Sequence, residues 1–125
     1  MRILIILVFA LTSAGCSSRH ALDRYLDEAY GRYQAGDCGG AQLALSQAER
    51  LKRLRPGVQP EISLLRGQCL ERQGLFVDAA ETYRFIQAQY PTSEYAYRAA
   101  ARLETLRQLG HYHPGEQAVP HPVAR

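Results

Sequence analysis

The chain has 125 residues, with 15 Lys and Arg against 12 Asp and Glu, for a formal net charge of +3. That length holds one domain, and so even a balance excludes the strong basic footprint of a nucleic-acid binder. Arginine supplies almost all of the positive charge, since Lys52 is the single lysine, and the arginines are spread along every candidate helix as on solvated faces.

The first stretch reads "MRILIILVFALTSAGCSSRH". Its apolar run Ile3–Leu11 falls short of the roughly 20 residues that a membrane-spanning helix needs. Arg2, the apolar centre and the small-residue exit Thr12-Ser13-Ala14-Gly15 read instead as a secretory signal over 1–15. On these residues alone, an ordinary signal cut near Ala14 leaves Cys16 as a free thiol. The junction Thr12–Cys16 resembles the bacterial lipobox, however, and that resemblance implies cleavage just before Cys16 and lipidation of its sulfur. Residues 16–20 then read as a lipidated polar tether, and no second membrane-length apolar run follows.

From Ala21 the helical period takes over. Leu22, Tyr25, Leu26, Ala29 and Tyr33 build one apolar face. "AGDCGGA" interrupts it, with Gly36 suited to the left-handed residue after a helix and Asp37 to the next N-cap. The second stripe is Ala41, Ala44, Leu45, Ala48 and Leu51, ended by "RPGVQP". Pro60 fits the first turn of a third helix that carries Leu64, Leu65, Cys69 and Leu70 and stops at Gly74. The fourth stripe, Phe76, Ala79, Ala80, Tyr83, Ile86 and Tyr90, ends at Pro91. Ser93 or Thr92 caps a fifth helix with Ala96, Ala99, Ala100, Leu103 and Leu106 on one face, closed by Gly110. The sequence therefore predicts an all-α body over 21–110, followed by a disordered Pro-rich tail over 111–125.

The second and fourth helices repeat one another. "AGDCGGAQLALSQAERL" and "QGLFVDAAETYRFIQAQYP" align Gly36 with Gly74, Ala41 with Ala79, Leu45 with Tyr83 and Ala48 with Ile86, an offset of 38 residues. That period signals stacked helical repeats. With Gly67, Leu70, Gly74, Ala79, Tyr83, Ile86 and Pro91 in place, the second copy resembles the tetratricopeptide repeat, a helix–turn–helix unit of about 34 residues. Ala29 takes the small position of the first copy. The resemblance implies a solenoid of about two and a half repeats, with the fifth helix as the capping element. A generic five-helix bundle is the alternative. "QYPTSEYAYRAAARL" is similar to the repeats of bacterial envelope tetratricopeptide proteins, such as the lipoprotein of the β-barrel assembly machinery and the periplasmic coordinator of the Tol-Pal system.

Two cysteines remain besides Cys16. Export would place Cys38 and Cys69 in an oxidising compartment, where they form one bridge or stay as two buried thiols. The repeat register stacks their segments side by side and so favours a Cys38–Cys69 disulfide.

Catalytic groupings are not expected. His20, His111, His113 and His121 lie in the flanks, and His-x-His in a Pro-rich tail offers a metal no rigid geometry. Ser46 has no histidine near it in sequence. Gly39-Gly40 open a helix without the lysine of a phosphate-binding loop, so no cofactor is implied. The family resemblance points to peptide binding by the first helix of each repeat. Carried over, that face presents Tyr30 and Gln34, then Gln68 and Arg72, then Arg98 and Arg102. The expectation is a lipid-anchored periplasmic adaptor for a protein partner in envelope assembly or secretion, without nucleic acid or a small-molecule substrate. Ser17 after Cys16, where Asp is absent, implies sorting to the outer membrane. The alternatives are a pilot lipoprotein for a secretin or pilus component and an accessory activator of a cell-wall enzyme.

Overall fold

The computed structural model describes the backbone of residues 2–115 and the side chains of 17–115. The Cys16 side chain and His121 lie outside the described residues. Among these the fold is all-α, with helices α1 Arg2–Gln34, α2 Cys38–Arg50, α3 Val58–Arg72, α4 Phe76–Gln89 and α5 Glu94–Gln108. A 3₁₀ turn, Lys52–Leu54, occupies the connection after α2. No helix of the described residues is long and apolar enough to cross a membrane.

One helix start differs from the expectation and another agrees with it. α1 runs through 16–20 without a break, so the polar lead is helical. Ser17-Ser18-Arg19-His20 contains neither Pro nor Gly, and extending an existing helix adds one hydrogen bond for each residue fixed. α3 begins at Val58, with Pro60 inside its first turn, where no intrahelical donor is lost.

The helix ends follow from local chemistry. After α1, Gly36 takes φ +82°, and after α3, Gly74 takes φ +74°. Both ends close with the same pair of bonds, Gly36 N–H to Tyr33 O with Asp37 N–H to Arg32 O, and Gly74 N–H to Glu71 O with Leu75 N–H to Leu70 O. This is the Schellman arrangement, which satisfies the last carbonyls of the helix and needs a residue that tolerates positive φ. Asp37 then caps α2, its Oδ1 accepting from Gly40 N–H at 2.8 Å, while Ser93 Oγ caps α5 by accepting from Ala96 N–H at 3.1 Å.

Contacts divide the chain into two units, Met1–Ile62 and Ser63–Arg125, with the boundary inside α3. In the first unit α1 and α2 pair as a helical hairpin, and their stripes Leu22, Leu26 and Ala29 and Ala41, Ala44, Leu45 and Ala48 are buried. In the second, α4 and α5 pair, and Ala79, Ala80, Tyr83 and Ile86 join Ala96, Ala99, Leu103, Leu106 and Leu64 in one core. The repeat offset is visible in this burial. Ala41 and Ala79, Leu45 and Tyr83, and Ala48 and Ile86 all have 0% of their surface exposed. In α3, Ile62, Ser63, Leu64 and Leu65 are buried in succession, so every side of one turn is covered.

Gly67 explains how α3 and α4 come so close. A Cβ built there would lie 2.5 Å from Cε1 of Tyr83, nearer than real Cβ contacts come. Hydrogen in place of a side chain therefore makes room for the fully buried ring.

Cys38 and Cys69 correct the sequence reading. Both are free and buried, and the expected bridge is not formed. Each thiol is buried as a small apolar group, a common state of unpaired cysteine.

Two predictions follow from these contacts. Gly67→Leu should lower the melting temperature by overpacking, at a cost of about 1–3 kcal/mol. Gly67→Ala should lower it as well, although Ala is the better helix former by about 1 kcal/mol. Gly31→Ala, where a new Cβ meets nothing within 4 Å, should instead raise it; thermal denaturation of the variants compares the signs.

The Asp37 carboxyl is held below its ordinary range, first by the Gly40 N–H and then by the Arg32 guanidinium. A lowered folded-state value means that the cap stabilises fully above the unfolded-chain carboxylate range. That contribution is lost as pH falls through the lowered value. Asp37→Asn keeps the acceptor without the charge, so its stability should vary less with pH between neutral and acid, as read by urea unfolding at a series of pH values.

Candidate partner-binding surface

The six residues expected on the binding face divide between the two units. In the first, Tyr30 stands on α1 and is half-buried, and its hydroxyl donates to Glu61 Oε1 at 3.1 Å. Glu61 in turn accepts from Arg55 Nη2 at 2.7 Å, and Arg55 Nη1 reaches Asp23 Oδ1 at 3.1 Å. Tyr30 is thus tied into a network that braces α1 against the start of α3. Gln34, at the last position of α1, is exposed.

In the second unit, Gln68 is half-buried and Arg72 exposed on α3. Arg98 is exposed on α5, with its guanidinium 5.8 Å from the centre of the Tyr95 ring, within range of a cation–π contact. Arg102 is committed elsewhere. Its Nε donates to Glu71 Oε1 at 3.1 Å and its Nη2 to Glu71 Oε2, a two-pronged pair. Glu71 retains only 11% of its side-chain surface and Arg102 39%, so the pair is largely internal on one side. The Glu71 hydrogen bond is the main reason that the Arg102 guanidinium is held above its usual range.

The Tyr83 hydroxyl ends nearby, fully buried, and no hydrogen bond of acceptable geometry reaches it. Burial foremost, and then the Glu71 carboxylate, pushes the phenol well above its ordinary range, so the ring is neutral at any physiological pH.

Apolar side chains that sequence reasoning passed over are exposed. Leu43 keeps 72% of its surface and Tyr97 82%, and Leu75, Val77, Phe85 and Leu109 are also exposed. Leu43 lies in a shallow cleft between α1 and α2, with Tyr25 and Ala44 as further apolar lining and Glu28, Arg32 and Gln47 at its polar margin. Val77 shares a smaller cleft with Ala80, Glu81, His111, Tyr112 and His113. The signal for these residues was present, because Leu43, Val77, Phe85 and Tyr97 are apolar positions that fall off the helical stripes.

The beginning of the expected disordered tail is ordered instead. His111 N–H donates to Leu106 O at 2.9 Å, and its ring stacks on Phe76 with centroids 3.8 Å apart and planes 11° from parallel. Tyr112 packs against the core of the second unit. Aromatic stacking and burial outweigh the lack of helical period in this stretch. Among the described residues no group of three or more His, Cys, Asp or Glu could hold a metal ion.

The chain matches no protein-family model, and searches of curated proteins and of solved structures found no match.

The Tyr83 and Arg102 environments predict opposite responses to truncation. Tyr83→Phe removes an unpartnered buried hydroxyl and should leave stability unchanged or raise it. Arg102→Ala strands the Glu71 carboxylate and should cost about 1 kcal/mol, a value reduced for the solvent that still reaches the arginine. Urea denaturation of the two variants distinguishes these signs.

Proposed function

We propose that the protein is a lipid-anchored adaptor of the bacterial envelope, facing the periplasm from the outer membrane and binding a protein partner without chemistry of its own. The observation that carries this reading is the helix–turn–helix repeat. Its paired positions Ala41 and Ala79, Leu45 and Tyr83, and Ala48 and Ile86 occupy equivalent buried places, as they would in a tetratricopeptide-like scaffold. The Gly67–Tyr83 approach supports the same register, since it puts the small residue where the second helix of the repeat crosses. The "TSAGC" junction supports the anchor.

Burial and pairing bear on which residues such a scaffold would offer. Tyr30 and Arg102 serve internal contacts. Gln34 in the first unit and Arg98 in the second keep exposed polar groups, and in the first unit the cleft around Leu43 supplies an apolar contact. Solvent-exposed apolar side chains beside charged margins are the usual composition of a partner surface.

Anchoring is tested at the cysteine. Cys16→Ser should leave the chain unacylated and release it from the membrane fraction; a wild-type chain without a diacylglyceryl group by mass spectrometry would refute the anchor. Binding is tested by affinity purification from detergent-solubilised envelope, with one stoichiometric partner expected. Leu43→Glu should abolish its recovery without lowering the melting temperature. Recovery of no protein in a fixed ratio would refute the adaptor reading.

A further inference from the structure

The stretch "ERLKRLRPG" places Arg50, Lys52, Arg53 and Arg55 within six positions, in and around the 3₁₀ turn. Elsewhere the arginines are spread along the helices, so this is a local concentration of positive charge. The fold of the first unit sets it against the early part of α1. Arg19, Leu22 and Asp23 of α1 share a cleft of ≈ 240 Å³ with Leu54, Arg55 and Pro56. The Arg55–Asp23 ion pair ties the two segments together.

Charge on this edge is not balanced. Three carboxylates lie near five cations: Asp23 and Glu61 are engaged by Arg55, and Glu49 accepts from Gln59 Nε2 at 2.7 Å, against Arg19, Arg50, Lys52, Arg53 and Arg55. Arg19, Lys52 and Arg53 are exposed, and no ion pair among the described residues engages them. The free charge of the edge is therefore positive.

Its position along α1 says what it would meet. Residue 16 lies three residues before Arg19 and seven before Asp23 on one continuous helix. At about 1.5 Å per residue, these separations are roughly 4 and 10 Å along the axis. Electrostatic screening at physiological salt acts over about 8 Å. An acyl chain at position 16 would thus hold the edge within about one screening length of the lipid headgroups.

We infer that the basic edge formed by Arg19, Lys52 and Arg53 binds an anionic lipid surface. The inference rests on the anchored reading for how the edge reaches the membrane, whereas the charge complementarity stands without it. Guanidinium groups suit this role because they pair with phosphate oxygens in two-pronged fashion. Leu54 and Pro56, between the cations, add apolar contact at the headgroup boundary. The consequence is orientation: the edge turns a flexible attachment at one residue into a docked first unit.

Co-sedimentation of the full chain with two kinds of vesicle tests the inference, one of pure phosphatidylcholine and one containing phosphatidylglycerol. Near-surface cations each contribute about fivefold in partitioning, so three of them should favour the anionic vesicles by about a hundredfold at low salt. High salt should erase that preference. Lys52→Gln with Arg53→Gln should lower it by about 25-fold. Arg84→Gln with Arg107→Gln makes the same change in net charge on the second unit and should leave the preference intact. Equal loss in both double variants, or retention of the wild-type preference without Lys52 and Arg53, would overturn the inference. Acylation raises binding to both vesicles alike, so a missing acyl group lowers both partition coefficients and leaves their ratio. Mass spectrometry of the Cys16 fragment then reports on the anchor separately.

Discussion

The ring of Tyr83 lies where a side chain at position 67 would begin, and much of the second unit depends on that contact. Because Gly67 presents only hydrogen, α4 can bring a large aromatic group against α3 with none of its surface left exposed. Ala79, Ile86 and the α5 residues Ala99 and Leu106 belong to the same core as the ring. Small residues on α4 and α5 let the helices approach, and the tyrosine fills the space that small residues alone would leave empty. Protein interiors tolerate neither voids nor overlap, so the glycine and the tyrosine have to be understood as one unit of packing.

Polar groups around this core serve the architecture before they serve a partner. Arg102 closes on Glu71 with two bonds, and in the first unit Tyr30, Glu61, Arg55 and Asp23 form a chain that braces α1, the 3₁₀ connection and the start of α3. Two of the three carboxylates compensated in this way keep little of their own contact with water, whereas Asp23 stays exposed. Glu71 and Glu61 retain 11% and 17% of their side-chain surface. Leaving such a group without its partner costs more than the pair contributes over two solvated ions. For that reason these side chains are poorly placed to let go and seize a ligand.

The groups open to solvent are a thinner set, among them the exposed ends of Gln34 and Arg98 and the off-stripe apolar residues such as Leu43 and Tyr97. An adaptor reading suits this distribution, because binding a partner needs exposed groups and no internal chemistry. On the proposed anchoring, the basic edge near the start of α1 would serve a different task, one of placement. Membrane attachment by lipid limits where a domain is, and fixed positive charge limits how it faces.

Five helices and their inward faces could be read from the amino-acid order, since Leu22, Leu26 and Ala29 or Ala79, Tyr83 and Ile86 recur at a period that only one local geometry satisfies. Gly36, Asp37, Gly74 and Ser93 announced where helices end because capping is chemistry between near neighbours. Even Gly67 was legible as a point of close approach, through the resemblance of the second copy to the tetratricopeptide pattern. Other features depended on residues about 30 apart: Tyr30 with Glu61, Arg102 with Glu71, and Asp23 with Arg55. No period encodes such pairs; they exist because helix crossings bring particular turns together. His111 on Phe76 has the same origin, and so do the free thiols of Cys38 and Cys69, for burial by surrounding helices decided their fate. Local order follows from the spacing of side chains along the chain, whereas tertiary structure alone selects which distant side chains share a space.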